Sequence, residues 1–243
     1  MTTESVIIET TPAYVAHPSS EVKGGLIVIH EVWGLVEHVK DVAERFADEG
    51  YLAVAPDLLS NTGLTLDSSI FTRTQNPTTR DEAQKEMRAA MVPIQAPEFA
   101  EQTVAKLRAT VAWLASLPGV KGKVAVVGFC FGGTYAFALA TAEPTLGAAV
   151  SFYGHAPTDL ATIQTISCPV LAFNGKEDTR LMNELPQLID NAEAANLDFT
   201  HIEYPNAGHA FFNDQNQTLY RVDAAKDAWV TTLTFLKDHL AST

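Results

Sequence analysis

The stretch from Lys123 to Ala142 places the strongest constraint on the fold. A run of branched apolar residues is followed by Gly-Phe-Cys-Phe-Gly-Gly at positions 128–133 and then by an Ala-rich apolar run. This pattern predicts a buried strand, a tight turn and a buried helix. The turn is so sharp that a β-carbon at Gly128 or Gly132 would collide with the strand or helix beside it. We therefore predict a nucleophile elbow with cysteine, Cys130, in place of serine.

Two interpretations of Cys130 follow from the elbow alone. In the first, the strained corner lifts the thiol clear of the sheet. The backbone N–H of Phe131, at the positive end of the following helix, can then point at a developing oxyanion. In the second, Cys130 is a free core cysteine on a Gly-rich turn, as is common for intracellular cysteines. The motif is short, so other segments of the chain must decide between the two.

Composition excludes several classes of protein. The 243-residue chain is 47% hydrophobic and 19% charged, which is typical of a globular protein and not of a disordered chain. Its net charge of −13, without a cluster of Lys and Arg, makes nucleic acid and anionic membranes poor partners. No segment approaches a membrane span and no basic leader precedes an apolar run. We expect a cytoplasmic protein in which Cys130 and Cys168 are both reduced.

Apolar runs alternate with segments of helical periodicity along the chain. After a short hairpin at 6–16, strands are predicted at 25–29, 51–57, 123–128, 147–154, 169–175 and 199–204. Helical patterns fill the intervals and close the chain up to Leu240. This order predicts one domain, residues 1–243, with a mostly parallel, doubly wound sheet and helices on both faces.

The segment from Ser60 to Thr79 breaks this alternation. It is rich in Ser, Thr, Asn and Asp and shows no periodicity. Loops of this length inside a compact domain are uncommon unless they serve a function, and a flap over the substrate is the usual one. A surface excursion without function explains the same composition, so the sequence leaves both interpretations open.

A cysteine nucleophile needs a base, and the base needs an acid that orients it. Asp178 follows one predicted buried strand directly, and His209 follows the next. Nucleophile, acid and histidine in this chain order are typical of α/β-hydrolases, and all three fall at the same edge of the sheet. The sequence therefore predicts a Cys130–His209–Asp178 triad on the α/β-hydrolase fold.

Alternatives remain for the acid and for the base. Asp178 could serve only to cap the helix that follows it, and the adjacent Glu177 could be the acid. His155 also follows a predicted strand, but it precedes the expected acid in the chain. His30-Glu31 is not a metal motif, because no second histidine follows at helical spacing. No other cluster suggests a metal, and no Gly-rich phosphate loop is present.

Four motifs together resemble those of the dienelactone hydrolase family, and the resemblance covers nearly the whole chain. Gly-Phe-Cys-Phe-Gly-Gly at 128–133 matches the elbow of the family, and Gly-Lys-Glu-Asp at 175–178 matches its Gly-x-x-Asp. Ala-Gly-His-Ala-Phe at 207–211 is similar to its Ala-Gly-His-Ser-Phe. His-Glu-Val-Trp-Gly at 30–34 matches its strand-end motif of Glu, an apolar residue, an aromatic residue and Gly.

The resemblance implies hydrolysis of an enol-lactone or ester through a thioester intermediate, with no cofactor. It also implies that Glu31 holds the resting thiol of Cys130 and accepts its proton when substrate arrives. A buried thiol beside a carboxylate has a raised pKa and is protected from oxidation. A carboxylate with no such role is the alternative for Glu31. The backbone N–H of Val32 would be the second oxyanion donor, opposite that of Phe131.

The chain departs from the family where the substrate carboxylate would bind. Members that act on dienelactone hold its carboxylate with two arginines, and Asn213 stands at one of these positions, while Arg80 is the best match for the other. One arginine is a weaker anion clamp than two. The residues expected to line the substrate site are Arg80, Trp33, Tyr153, Asn213 and Phe211.

The predicted function is cysteine-dependent hydrolysis of a small lactone or ester, whose identity the motifs do not specify. A short-chain carboxylesterase without lactone preference is one alternative. A non-catalytic ligand-binding or thiol-sensing protein on the same scaffold is another, although such a protein would need neither the triad nor Glu31. A monomer or a small homo-oligomer is expected.

Overall fold

A computed structural model describes residues 1–64, 66, 68–120 and 123–240. Its eight strands form one sheet in the order β1-β2-β4-β3-β5-β6-β7-β8, in which β1 and β2 are antiparallel additions to a parallel sheet. The strands are β1 Thr2–Ile8, β2 Thr11–His17, β3 Gly24–Ile29, β4 Tyr51–Pro56, β5 Val124–Phe129, β6 Ala148–Phe152, β7 Val170–Gly175 and β8 Phe199–Tyr204.

Helices cover both faces of this sheet. They are α1 Glu37–Asp48, α2 Ser68–Gln75, α3 Arg80–Ala90, α4 Pro97–Ser116, α5 Phe131–Ala142, α6 Leu160–Ile163, α7 Thr179–Ala194 and α8 Val222–Leu240. Apolar side chains of α4 and α5 pack on one face, and those of α1 and α8 pack on the other. The predicted α/β-hydrolase fold, with a doubly wound, mostly parallel sheet, is confirmed.

The central strands show why their sequences are continuously apolar. Every residue of β3 to β7 is buried, because successive side chains point to opposite faces and each face is covered by helices. In β3, Ile27 and Ile29 enter the core beneath α4 and α5, while Leu26 and Val28 enter the core beneath α1 and α8. A polar residue at one of these positions would therefore be buried on either face.

The segment between Ser60 and Thr79 is not an irregular loop throughout, because α2 lies within it. Positions 65 and 67 of this segment lie outside the described residues. Arg73 of α2 pairs with Glu86 of α3 at 2.7 Å, and Thr79 donates its hydroxyl to the carbonyl of Arg73. The buried side chain of Ile70 also anchors this short helix. Its role as a substrate flap stays a prediction.

The carboxyl edge of the sheet collects the loops that carry the predicted site residues. The loop after β8 lies directly on the end of β7: a β-carbon on Gly175 would be 2.2 Å from the carbonyl oxygen of Ala207. Glu177 also donates its backbone N–H to that carbonyl, at 2.9 Å. This close approach, possible only with glycine at 175, brings the segments of Asp178 and His209 together. No helix in the described ranges is long and apolar enough to span a membrane.

Candidate active site

Cys130 occupies a backbone conformation that few residues other than glycine adopt. Its φ is 54° and its ψ is −113°, and its N–H donates to the carbonyl of Phe152 at 3.0 Å. A β-carbon on Gly128 would lie 1.9 Å from the carbonyl oxygen of Gly132, and one on Gly132 would lie 2.3 Å from that of Ile29. The two glycines thus allow the backbone of the turn to lie in direct contact with the end of β5, the start of α5 and the end of β3, as predicted for the elbow.

His209 and Asp178 form a short hydrogen bond, with 2.6 Å between Nδ1 and Oδ2. Burial alone would raise the pKa of Asp178, but the hydrogen bond and the charge of His209 lower it. Burial would conversely lower the pKa of His209, but hydrogen bonds to Asp178 and Cys130 and the charges of both raise it to about 10. The His209 side chain is still 41% exposed, so it can be reached from solvent.

The same imidazole links Asp178 to the elbow. Its other partner is the side chain of Cys130, which is half-buried. The acid, the imidazole and the thiol are therefore connected in one row, the arrangement in which an imidazole can take a proton from a thiol while a carboxylate fixes its tautomer. The sequence-predicted triad residues are brought together.

The alternative acid and base lie elsewhere. The Glu177 side chain is exposed, and His155 forms a 2.6 Å contact with Glu184 through Nδ1. Asp178 stands at the N-cap position of α7, but its side chain forms no capping hydrogen bond there and its carboxylate binds His209. The geometry favours Asp178 and His209 over both alternatives.

Glu31 is buried close to the row formed by Asp178, His209 and Cys130, with 6% of its surface exposed. Asn213 Nδ2 donates to its Oε2 at 2.7 Å, and the hydroxyl of Tyr153 approaches Oε1 at 3.5 Å. Burial raises the pKa of Glu31, against the opposing effects of Asn213, the charge of His209, and Tyr153. A hydrogen bond between Glu31 and the thiol of Cys130, which the family resemblance implies, is not among the contacts of the described residues. The carboxylate is held by Asn213 and Tyr153 instead.

Two residues expected to contact substrate, Asn213 and Phe211, are buried and contact other side chains of the protein. Both ends of the Asn213 amide are occupied, because Nδ2 donates to Glu31 and Oδ1 accepts from the backbone N–H of Gln215 at 3.1 Å. Phe211 is fully buried and packs edge-on against Tyr153, with ring centroids 5.4 Å apart. These contacts join distant segments, so the position of Asn213 in the sequence gave no signal of its bond to Glu31.

The other three predicted substrate contacts differ in accessibility. Tyr153 is buried beneath the imidazole, with ring centroids 5.1 Å apart, and Trp33 is half-buried in the turn after β3. Arg80 is exposed at the start of α3 and pairs with Asp81 at 3.4 Å. No described contact joins Arg80 to Cys130, and its role in binding a carboxylate stays a prediction.

The two backbone N–H groups predicted to form the oxyanion hole have no hydrogen-bond partner among the described residues. Phe131 is the first residue of α5, so its N–H has no partner within the helix. Val32 lies in the turn after β3, and its N–H forms no hydrogen bond to another described residue. Across the described ranges, no three His, Cys, Asp or Glu side chains are grouped so as to hold a metal ion.

A separate cavity of about 700 Å³ lies at the opposite edge of the sheet. It is bordered by α8 and by the segments that lead into β3 and β4, including Val22, Tyr51 and Leu236. None of the predicted site residues lines it. Its size therefore says nothing about the substrate of the elbow site.

This sheet order, with an elbow after β5, an acid after β7 and a histidine after β8, is that of an α/β-hydrolase. Residues 11–240 match the model of the dienelactone hydrolase family. The chain belongs to that family.

Individual relatives agree with this assignment. A protein of Saccharolobus solfataricus named "Putative carboxymethylenebutenolidase" is 35% identical over 93% of each chain. A protein of Synechocystis with the same name is 33% identical over 84% of this chain and 81% of its own. A crystal structure described as "Putative Dienelactone Hydrolase" from Klebsiella pneumoniae superposes with a TM-score of 0.78, at 28% identity, over 96% of this chain and 97% of its own. The protein is a hydrolase that acts on lactone or ester bonds.

Proposed function

We propose that the protein hydrolyses a small lactone or ester by covalent catalysis, with Cys130 as nucleophile and a thioester as intermediate. The observation that carries this proposal is the connected row of Asp178, His209 and Cys130 at a strained elbow. A free core cysteine would need neither the positive φ nor an imidazole held by a buried carboxylate.

The reaction would start from a Cys130 thiolate and a His209 imidazolium, because the thiol proton has passed to His209, whose Nδ1 is bound to Asp178 and whose pKa is raised to about 10. The Cys130 sulfur attacks the carbonyl carbon, and the N–H groups of Phe131 and Val32 receive the negative charge on its oxygen. The bond to the leaving oxygen breaks, and the imidazolium returns a proton to that oxygen. Water, activated by His209, then attacks the thioester, which releases the acid and restores the thiol.

For Glu31 we retain the hypothesis that it controls the thiol, as an alternative first step in which its carboxylate, and not His209, accepts the thiol proton. A buried carboxylate with a raised pKa suits this role, since a base is most effective when its pKa lies near the working pH. To reach Cys130, the carboxylate would have to leave Asn213 or Tyr153. The hypothesis therefore requires substrate binding to rearrange those two contacts.

The substrate class follows from charge at the site. The Asn213 amide is buried and bound to Glu31, so it is a neutral and poorly accessible donor for a carboxylate, and Arg80 is exposed and paired with Asp81. A hydrogen bond from a charged donor to a carboxylate contributes about 1.5–3 kcal/mol to binding, whereas one from a neutral donor contributes about 1 kcal/mol. The lack of a charged donor should therefore weaken selection for an anionic substrate roughly tenfold. We propose that neutral lactones and esters are preferred to dienelactone, which carries a carboxylate.

The test is kcat/KM for matched pairs of lactones and aryl esters, each as the free acid and as the methyl ester. We expect the methyl esters to be turned over faster. A strong preference for the free acids would contradict the charge argument, and its loss in Arg80→Gln would identify Arg80 as the clamp. Equal rates for lactones and open-chain esters would instead define a general carboxylesterase. Turnover of none would contradict the proposed activity.

Cytoplasmic location, the monomeric or small homo-oligomeric state and the lack of nucleic-acid or membrane partners remain predictions. The net charge of −13 and the lack of a Lys/Arg cluster in the sequence support the last of these three.

A further inference from the structure

His30 is buried next to the elbow and has no part in the chemistry described above. Only 1% of its surface is exposed, and both ring nitrogens have partners. The backbone N–H of Leu58 donates to Nε2 at 3.1 Å, and Nδ1 lies 2.6 Å from the carbonyl oxygen of Glu31. A backbone N–H can only donate and a carbonyl can only accept, so Nε2 is the acceptor and Nδ1 carries the proton. The ring is thus a neutral imidazole of defined tautomer.

The carbonyl that His30 binds belongs to the peptide group between Glu31 and Val32. The N–H of the same peptide group is one of the two free donors at the site. In a trans peptide, the N–H and the C=O point in opposite directions within one plane. Gly34 donates its N–H to the same carbonyl at 3.2 Å. Two hydrogen bonds on the oxygen therefore fix the direction of the Val32 N–H and polarise it as a donor.

His30 also contacts the residue that carries the second donor. Its ring stacks on that of Phe131, with the centroids 5.7 Å apart and the planes 3° from parallel. The backbones meet at the same place, because a β-carbon on Gly132 would lie 2.8 Å from the carbonyl oxygen of His30. One buried side chain thus touches both segments that carry the proposed oxyanion donors.

We propose that His30 is a positioning residue of the oxyanion hole: its Nδ1–H holds the Glu31–Val32 peptide so that the Val32 N–H points at the oxyanion. This inference rests on the proposed function, since it requires an oxyanion to form beside Cys130. Substrate does not touch His30, which acts through the peptide group. Its loss should slow the attack on a carbonyl and leave other reactions of the thiol unchanged.

A matched pair of variants distinguishes the roles of the two ring nitrogens of His30. In His30→Asn, the amide nitrogen can take the place of Nδ1, so the donor to Glu31 is kept and the acceptor for Leu58 is lost. In His30→Gln, the amide oxygen can take the place of Nε2, so the acceptor is kept and the donor is lost. A purely structural role predicts that Asn is the worse variant, because it is smaller and leaves a buried N–H unpaired. The positioning role predicts the opposite order.

Two reactions of Cys130 are measured in each variant. Acylation by p-nitrophenyl acetate, read from the nitrophenolate burst, passes through an oxyanion, whereas alkylation by iodoacetamide displaces iodide without one. We expect His30→Gln to slow acylation about tenfold or more while alkylation stays at the wild-type rate. His30→Asn should acylate close to the wild-type rate. If His30→Gln fails to fold, His30→Leu, which also lacks the donor, replaces it.

Three results are decisive. Acylation in His30→Gln at the wild-type rate, or an equal loss in Gln and Asn, would overturn the positioning role. An equal loss of acylation and alkylation would assign His30 to general structure and would overturn it too. Failure of the proposed function has a different signature, because Cys130→Ala would then release nitrophenolate as fast as wild type.

Discussion

Replacing Cys130 by alanine is expected to abolish hydrolysis while the protein remains folded. The sulfur is the attacking atom in the proposed mechanism, and the residues beside it in the elbow, Phe129 and Phe131, carry no nucleophile. Alanine retains the β-carbon, so the strained backbone at φ 54° is left as it is. Loss of the nucleophile should lower kcat about 10³-fold or more, measured with the best ester or lactone of the panel.

Cys168 provides the matched control for this variant. It is 5% exposed, and burial raises the pKa of its thiol to about 11, so it is a poor nucleophile near neutral pH. Cys168→Ala should therefore keep full activity and lose only some thermal stability from the small cavity it creates. Activity that survives in Cys130→Ala and disappears in Cys168→Ala would reverse the assignment.

Asp178→Asn is expected to produce the second largest effect, a fall in kcat/KM of about 10³–10⁴-fold. The 2.6 Å bond from His209 Nδ1 to the carboxylate leaves Nε2 free to accept the thiol proton. An asparagine amide can donate to Nδ1 and thereby select the wrong tautomer. Glu177→Gln is the control, because Glu177 is the adjacent exposed carboxylate and was the alternative acid in the sequence. If Glu177→Gln loses activity and Asp178→Asn retains it, Glu177 is the acid.

The same variant should alter the pH dependence in a defined direction. Asp178 is a main cause of the raised pKa of His209, so without the carboxylate the imidazole loses its proton at lower pH than the wild-type value of about 10. The alkaline limb of the kcat/KM profile should move to lower pH. An alkaline limb that stays in place would show that Asp178 does not control the proton on His209.

Thermal stability gives an independent readout of this pair. A raised histidine pKa stabilises the folded state fully below the ordinary value of 6.5 and progressively less towards pH 10. A lowered aspartate pKa stabilises it above the ordinary value of 3.8 and progressively less as the pH falls below that value. The Tm difference between wild type and Asp178→Asn should therefore be largest between about pH 4 and 6.5. A difference that grows towards pH 10 would contradict the pairing.

The sequence predicted those features that local patterns encode. Continuous apolar runs located the central strands, and the glycines at 128 and 132 located the elbow because a β-carbon at either would meet backbone. The order of Cys130, Asp178 and His209 along a parallel sheet placed all three at one edge. Helix α2 was missed because it is only eight residues long and half of them are Ser or Thr, which gives too short a pattern to show helical periodicity.

Contacts between segments far apart in the chain could not be predicted. Asn213 was expected to face substrate, but the loop that carries it turns the amide onto Glu31, 182 residues earlier. Phe211 was expected at the substrate site and is instead buried against Tyr153. His30 was rejected as part of a metal motif and otherwise noted only as the first residue of the strand-end motif at 30–34. Its tautomer depends on the backbone of Leu58, which belongs to the loop after β4. Such roles depend on which loops meet at the edge of the sheet.

The most direct test of the proposed mechanism is to identify the acylated residue. Protein quenched in acid during turnover of p-nitrophenyl acetate is digested and analysed by mass spectrometry, with Cys130→Ala treated in the same way. We predict one acetyl group on the peptide that contains Cys130, removable by neutral hydroxylamine as a thioester is, and absent from Cys130→Ala. Acetyl on another residue would contradict the mechanism. So would equally rapid turnover by wild type and Cys130→Ala with no acyl-enzyme detected in either.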